Sequence, residues 1–328
     1  MSRELSYELS DQSKVNENGE TLYRIRAVQN VSSEDHGSAF LGGWVSSARI
    51  SSGAERIADD AWAHGNAQIT GEARITRRAL IFDDACIADR ARVSDDAAVF
   101  CEARVFDKAK VTGNARVFDN SRVFGRARVS DHAFLNDCAE ISDHAEVSGS
   151  AQVYGEARVR GEASIFGVAH VFGNAEIFES AWIHGDAQVF GEAKVHGDAQ
   201  ILGNARVSGT AEIYGNARIS GEARVRGNAD IFESDHCFVI GPIGPGVHYV
   251  TLSRLPGGEH RLDIHCSESC DLDWEDGRLD TLLEHMEHQR SAWPENAAEH
   301  ESWMTQYRLL QELGESKVAR WQRSGASS

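Results

Sequence analysis

A six-residue repeat runs from Ile57 to Ile231 without an insertion, a deletion or a change of phase. Every sixth residue in this stretch is Val, Ile or Leu, except Ala63. Four residues after each of these positions the chain carries Ala, except for Ser121. Each hexad therefore has two small or aliphatic positions, as in repeat proteins that bury a narrow, continuous core by stacking.

The position two residues after each aliphatic residue indicates where the chain turns. Between residues 59 and 227 this position is Gly 17 times and Asp nine times. Gly adopts positive φ freely, and Asp adopts it more readily than most residues. Each hexad is therefore predicted to be a short strand followed by a corner.

A single short strand cannot bury a face, so each hexad is predicted to pair with the equivalent hexad one coil away. Three hexads per coil predict an all-β solenoid of about ten coils, with paired strands ~4.8 Å apart. An α-solenoid is excluded, because a period of six with Gly or Asp in nearly every hexad does not match helical spacing. Both hands of coil could stack parallel strands in this way.

Several segments carry a family resemblance. Val117–Arg122 and Val171–Glu176 resemble the hexapeptide repeat of left-handed parallel β-helices. The ends of the chain are similar to those of prophage-borne, YdcK-like β-helix proteins. The segments concerned are Tyr7–Asp11, Leu22–Ala27, Gly42–Val45 and Ile240–Gly244. The resemblance implies a left-handed parallel β-helix of phage-derived origin, and it assigns no activity.

Changes in sequence character divide the chain into three predicted regions. These are an N-terminal cap at 1–56, the β-helix at 57–232 and a C-terminal α+β unit at 233–328. The net charge of the whole chain is −18, which repels phosphate backbones, and no cluster of Lys or Arg with aromatic residues offsets it. We therefore expect a protein partner or self-association, and no nucleic acid.

The first residues lack the apolar core of a signal peptide, and no apolar run is long enough to span a membrane. A cytoplasmic protein without a membrane partner is expected. The six cysteines form no dense framework, so we expect them to be reduced.

Residues 18 positions apart are predicted to stack directly above one another. One such column, interrupted by Asn136, is aromatic and is the candidate interaction site. Its members are Phe82, Phe100, Phe118, Tyr154, Phe172 and Phe190. Stacked rings would stabilise neighbouring coils by about 0.5–1.5 kcal/mol per pair. Alternatively the column forms an apolar stripe for self-association or partner docking, and the two interpretations are compatible.

A second column alternates in charge. Its residues are Glu140, Arg158, Glu176, Lys194 and Glu212. Opposite charges on neighbouring strands attract each other, so this column is predicted to form a ladder of cross-strand ion pairs.

Left-handed hexapeptide helices are best known as acyltransferases that use an acyl-CoA donor, and such enzymes resemble this chain in the repeat alone. They use a histidine base and a loop that projects from the helix. This repeat has no insertion that could form a lid, and its histidines fall in several outward columns. No catalytic residue is assigned; in a transferase, His132 or His144 would be the base.

The C-terminal region is predicted to contain strands at 238–240, 249–255 and 261–265, followed by helices at 279–289 and 303–313. Such a unit would cover the open strand edges of a solenoid. Alternatively, its acidic, Trp-containing surface is a recognition module. A candidate zinc site consists of Cys266, Cys270, His285 and His288, and no other cofactor is expected.

Together these features favour a non-catalytic structural or protein-interaction scaffold. The alternative is a hexapeptide-repeat acyltransferase. A filament former of the bactofilin type is a further alternative, and caps at both ends argue against it.

Overall fold

The structure is a computed structural model, which describes residues 7–28, 41–266, 277–293 and 297–325. The repeat forms a parallel β-solenoid of the left-handed type, with about nine coils of ~18 residues per turn. The predicted fold class is therefore confirmed. The chain forms two compact units, residues 1–179 and 180–328. The predicted division at residues 56 and 232 stays a prediction.

The first unit opens with three longer strands, which are β1 (Tyr7–Val15), β2 (Thr21–Ala27) and β3 (Leu41–Val45). β1 and β2 are antiparallel, as are β2 and β3. β3 then pairs in parallel with a strand of the first coil, through Trp44 and Gln68. The antiparallel N-terminal strands thus continue directly into a parallel sheet of the solenoid.

Glycine is required where β3 crosses the first coil. A Cβ atom on Gly43 would lie 2.7 Å from the carbonyl oxygen of Ala67, which is closer than real Cβ contacts. Tyr7, Leu22 and Ile25 are fully buried. The N-terminal strands therefore cover the start of the solenoid core.

Two-residue strands form the coils of the first unit. They are β4 (Trp62–Ala63), β5 (Gln68–Ile69), β6 (Arg74–Ile75), β7 (Leu80–Ile81), β8 (Cys86–Ile87), β9 (Arg92–Val93), β10 (Ala98–Val99), β11 (Arg104–Val105), β12 (Lys110–Val111), β13 (Arg116–Val117), β14 (Arg122–Val123), β15 (Arg128–Val129), β16 (Phe134–Leu135), β17 (Glu140–Ile141), β18 (Glu146–Val147), β19 (Gln152–Val153), β20 (Arg158–Val159), β21 (Ser164–Ile165), β22 (His170–Val171) and β23 (Glu176–Ile177). Every third strand pairs in parallel, so each coil has three faces. Face one begins with β4, face two with β5 and face three with β6.

The hexad explains this geometry residue by residue. The second residue of each strand points inward and is buried, as is the Ala four residues later. All corner residues from Asp59 to Gly227 have positive φ, which confirms the prediction from Gly and Asp. Backbone groups bond from coil to coil: the N–H of Arg92 donates to the carbonyl of Ala109 at 3.0 Å.

The second unit continues the same pattern and then changes to longer elements. The two-residue strands are β24 (Trp182–Ile183), β25 (Gln188–Val189), β26 (Lys194–Val195), β27 (Gln200–Ile201), β28 (Arg206–Val207), β29 (Glu212–Ile213), β30 (Arg218–Ile219), β31 (Arg224–Val225) and β32 (Asp230–Ile231). An antiparallel sheet follows, formed by β33 (Cys237–Ile243), β34 (His248–Arg254) and β35 (His260–Cys266). The helices are α1 (Leu282–Gln289) and α2 (Ala297–Gly325), and short 3₁₀ turns lie at Ser234–His236, Pro256–Gly258, Leu279–Thr281 and Arg290–Ala292.

The predicted strands and helices of the C-terminal region are all present, but α2 is much longer than the predicted 303–313. Val318 and Trp321 are buried and continue the apolar stripe of Tyr307 and Leu310. The indole N–H of Trp321 also donates to the carbonyl oxygen of Asp235 at 3.1 Å. Tertiary packing therefore extends the helix beyond the region of dense apolar residues.

Side chains of the C-terminal sheet and of the turn before it accept backbone hydrogen bonds from the last coil within the second unit. The N–H of Arg224 donates to the hydroxyl oxygen of buried Thr251 at 2.9 Å. The N–H of Arg218 similarly donates to the side chain of Ser234 at 3.1 Å. Side-chain oxygens thus take the place of carbonyls that a further coil would supply, which is how an edge is blunted.

Candidate interaction surface

The predicted aromatic column is stacked in the first unit. The ring centroids of Phe82 and Phe100 are 4.7 Å apart, and those of Phe100 and Phe118 are 4.8 Å apart. Tyr154 and Phe172 stack at 4.9 Å with nearly parallel planes. These distances lie within the range of favourable aromatic pairs. Stacking between coils is therefore confirmed for these pairs.

All six residues of the column are half-buried, including Phe190 in the second unit. Where rings stack face to face, each face is covered by the neighbouring coil, and the ring edge is what faces outward. The column therefore stabilises the solenoid. A role in binding a partner stays a prediction.

Three apolar residues on face one extend the aromatic column sideways. Trp62 lies opposite Leu80, and Leu80 lies opposite Ala98, in parallel register. Leu80 is 42 % exposed, and Phe82 and Phe100 follow two residues after Leu80 and Ala98. We call these five residues the apolar patch. The patch was not predicted from the sequence, although residues 62, 80 and 98 share the spacing of 18 that defines the aromatic column.

The alternating column forms ion pairs, but not always with the predicted partner. Arg158 Nε lies 3.8 Å from Glu140 Oε2, as predicted. Glu176 instead reaches Arg160 at the neighbouring corner, at 3.1 Å. Glu212 lies 3.1 Å from the Nε2 atom of His196. Mostly exposed pairs of this kind contribute about 0–1 kcal/mol each.

The corner aspartates make a contact that the sequence did not predict. Each of the nine accepts a hydrogen bond through Oδ2 from the backbone N–H of the residue 18 positions later. Asp137 and Gly155, for example, are joined at 2.9 Å. Asp was predicted at the corners only for its tolerance of positive φ. Its carboxylate also satisfies a backbone donor of the next coil.

The two histidines considered as bases lie on outer corners. The Nε2 atom of His132 is 3.1 Å from the side-chain nitrogen of Asn114. The His144 side chain is exposed and forms no hydrogen bond or ion pair with any residue that the structure describes. Neither histidine is therefore oriented by a carboxylate in the described ranges, which a positioned general base would need.

The proposed zinc ligands are only partly within the described residues. His285 and His288 lie one turn apart on α1, and burial together with neighbouring His288 lowers the pKa of His285. Cys270 lies outside the described ranges. Cys266 is disulfide-bonded, so the expectation that all cysteines are reduced is wrong at this position, whereas Cys86, Cys101, Cys138 and Cys237 are free.

A disulfide-bonded sulfur is not the thiolate that binds zinc. Among the residues described here, no group of three or more His, Cys, Asp or Glu side chains is arranged to hold a metal ion. The zinc site stays a prediction, and no step of function is derived from it.

No protein-family model matches the sequence, and a search of the curated proteins gives no significant match. Of the helices within the described ranges, none is long and apolar enough to cross a membrane.

Proposed function

We propose that this protein is a non-catalytic scaffold, which holds surface residues in fixed columns for recognition by another protein. The observation that carries the proposal is the uninterrupted repeat, in which every corner from Asp59 to Gly227 has the same backbone conformation. Each coil is bonded to the next through its backbone, as from Arg92 to Ala109. Such a ladder favours rigidity over the moving loops that catalysis often uses.

The described surface also supports this proposal through its exposed apolar residues. The apolar patch places Leu80 beside two stacked phenylalanine rings, in a chain with net charge −18. Contiguous apolar surface on a soluble protein is commonly an interaction site. His132 and His144, by contrast, lie on exposed corners, where a substrate would remain surrounded by water.

The test compares the mass of the protein by light scattering, and its thermal stability, with and without acetyl-CoA. The scaffold proposal expects a mass that does not change with acetyl-CoA, no shift in the unfolding temperature and no release of free CoA. A trimer of the 35.9 kDa chain that acetyl-CoA stabilises, together with CoA release in the presence of an amine or alcohol, would contradict it. The acyltransferase alternative predicts that second result.

Filament formation is tested in the same preparation by electron microscopy at increasing protein concentration. In the first unit β3 covers the first coil, and in the second unit the Thr251 hydroxyl accepts a hydrogen bond from the backbone N–H of Arg224. We therefore expect dispersed particles. Concentration-dependent polymers would favour the filament alternative over a capped scaffold.

A further inference from the structure

A column of cations follows one corner of the first unit, between faces two and three. A shallow groove of about 510 Å³ runs across four coils there, and its outward side chains include Glu72, Arg90, Lys108 and Arg126. The three cations stand at equivalent positions of successive coils and are exposed. On adjacent face three, Arg92, Lys110 and Arg128 continue the same coils. We call these six cations the cationic ridge.

The carboxylates in the groove already have partners. Asp89 accepts a hydrogen bond from the N–H of Asp107 at 3.1 Å, and Asp107 accepts one from Gly125 at 2.9 Å. Glu72 accepts a hydrogen bond of 2.7 Å from the hydroxyl of Ser51. Two of these carboxylates therefore accept hydrogen bonds from the backbone of the next coil, and the third accepts one from the N-terminal segment.

Most of the ridge cations, by contrast, have no counter-ion in the part of the chain that the structure describes. Arg90, Lys108 and Arg126 form no ion pair there, and neither do Arg92 and Lys110. Arg128, at the end of the ridge, pairs with Glu146 at 3.0 Å. With face three included, the six ridge cations outnumber the three groove carboxylates, and a local excess of positive charge attracts anions to the surface.

The strand register on face three places like charges side by side. Arg74 lies opposite Arg92, Arg92 opposite Lys110, and Lys110 opposite Arg128. Like charges directly opposite each other on neighbouring strands are destabilising. Face two carries both arrangements, because Glu140 lies opposite Arg158 whereas Arg104 lies opposite Arg122. Face three differs in placing four cations on consecutive strands, which departs from the stabilising pattern over a longer stretch, as binding sites tend to do.

We propose that the cationic ridge binds an acidic segment of a partner protein, in an extended conformation, through its Glu or Asp carboxylates. The proposal rests on the scaffold function and names the partner class for one surface of it. Arg side chains suit this ligand because a guanidinium group can donate two parallel hydrogen bonds to one carboxylate.

The length of the ridge favours a short acidic segment over a nucleic acid. Three coils span two steps of ~4.8 Å, or about 10 Å, and side chains on one face of an extended peptide recur every ~6.6 Å, so two or three carboxylates fit. The corner column that contains Arg90, Lys108 and Arg126 has carboxylates on either side of the ridge. Glu72 lies one coil before Arg90, and Glu162 lies two coils after Arg126. A long polyanion would extend over these carboxylates, which repel phosphate.

The test measures fluorescence anisotropy of a labelled peptide of alternating Glu and Ala, with an alternating Lys and Ala peptide as the control probe. The double variant Arg90→Ser with Arg126→Ser removes two ridge cations. The matched control, Arg206→Ser with Arg218→Ser, removes two exposed arginines of the second unit and changes the net charge equally. We expect the ridge variant to weaken binding of the acidic peptide about tenfold, and the control to change it little.

A single charge-reversal variant distinguishes an effect on binding from an effect on folding. Lys110→Glu would place a carboxylate between Arg92 and Arg128, which imitates the alternation on face two. We expect this variant to unfold at the same or a higher temperature and yet to lose binding of the acidic peptide. Binding should also disappear at about 1 M salt, where the Debye length is about 3 Å.

Three results would overturn the inference: no binding by the unmodified protein, equal loss in the ridge variant and its control, or tighter binding of an oligothymidylate than of the acidic peptide. None of them would contradict the scaffold, which fails if acetyl-CoA stabilises a trimer that releases CoA, or if the protein polymerises with increasing concentration. If the protein turns over acetyl-CoA and still binds the acidic peptide, the scaffold proposal is contradicted and the proposal of peptide binding at the cationic ridge is supported.

Discussion

The carboxylate of Asp137 accepts a hydrogen bond of 2.9 Å from the backbone N–H of Gly155, which occupies the equivalent corner one coil later. Asp137 itself has φ of 54°, in the left-handed region. The residue thus does two things at once: it turns the chain and it bonds to the next coil. Gly at a corner can only turn the chain, so the two corner types should differ in stability.

Asp137→Gly is the substitution that separates these roles. It keeps the left-handed conformation without strain but removes the acceptor for Gly155, and we expect a loss of about 1–2 kcal/mol in the free energy of unfolding. Asp137→Ala should cost a further 1–2 kcal/mol or so, because Ala lacks the freedom of Gly at positive φ. Both are measured by denaturant unfolding.

Asp84→Ala is the matched control for this pair, since Asp84 is an exposed aspartate next to a corner rather than at it. It should change stability by less than about 0.5 kcal/mol. If Asp137→Gly were as stable as the unmodified protein, the carboxylate contact would have no energetic role.

The interior of this fold could be predicted from sequence almost position by position. The hexad determines which residues are buried and which turn, and Ile57 to Ile231 occupy the expected inward positions. Local rules are sufficient there because each coil contacts only its neighbours. The end of α2 could not be predicted in the same way, because Val318 and Trp321 depend on packing against the sheet and Asp235.

The surface was less predictable for a different reason. The net charge of the whole chain is negative and does not indicate where cations cluster. Arg90, Lys108 and Arg126 come together only when the coils are stacked in register. The contact of Asp137 with Gly155 was missed likewise, because a propensity argument concerns one residue's own backbone and not its neighbour's donor. Reading the outward positions at intervals of 18 would have found the ridge.

Thr251→Val tests the cap of the second unit. Val has nearly the same shape as Thr but removes the acceptor for the N–H of Arg224, which pairs with Thr251 at 2.9 Å in a buried position. Leaving a buried donor unsatisfied costs about 1–3 kcal/mol. We expect faster hydrogen–deuterium exchange at Arg224 and a lower unfolding temperature.

Thr305→Val provides the comparison, because Thr305 is exposed on α2 and its hydroxyl bonds within the helix. It should leave exchange at Arg224 unchanged. Equal protection of that amide in Thr251→Val would show that the hydroxyl does not cap the last coil.

Tyr7→Phe tests the N-terminal strands. The Tyr7 hydroxyl donates to the carbonyl oxygen of Ala48 at 2.9 Å, and the side chain is fully buried. Removing the hydroxyl group should destabilise the protein by about 1 kcal/mol. Tyr23→Phe is the control, because Tyr23 is 38 % exposed.

The same tyrosine predicts an alkaline transition. Burial raises the pKa of Tyr7 to about 12, from its usual value of 10.0. The unfolded chain therefore ionises first, so this contribution to stability is present below pH 10 and is lost between about pH 10 and 12. Unfolding temperatures measured across that range should fall more steeply for the unmodified protein than for Tyr7→Phe, and parallel curves would contradict the assignment.

Acid should destabilise the C-terminal part of the second unit through two histidines that accept backbone hydrogen bonds. The Nε2 atom of His260 accepts from the N–H of Leu279 at 3.1 Å, and the Nδ1 atom of His236 accepts from Phe232 at 3.5 Å. Burial lowers the pKa of both histidines, and neighbouring Arg254 lowers that of His236 further. Protonation would remove both acceptors and place charge on the buried His236 and the half-buried His260.

Because both groups have a lower pKa in the folded protein than in the unfolded chain, their contribution is fully present above about pH 6.5 and is lost as the pH falls below it. Unfolding temperatures should therefore decrease from pH 6.5 downward. His260→Gln keeps a possible acceptor for Leu279 but cannot titrate there, so it should reduce this dependence. The exposed control His144→Gln should retain the full acid dependence, and an identical effect of both substitutions would show that His260 is not responsible.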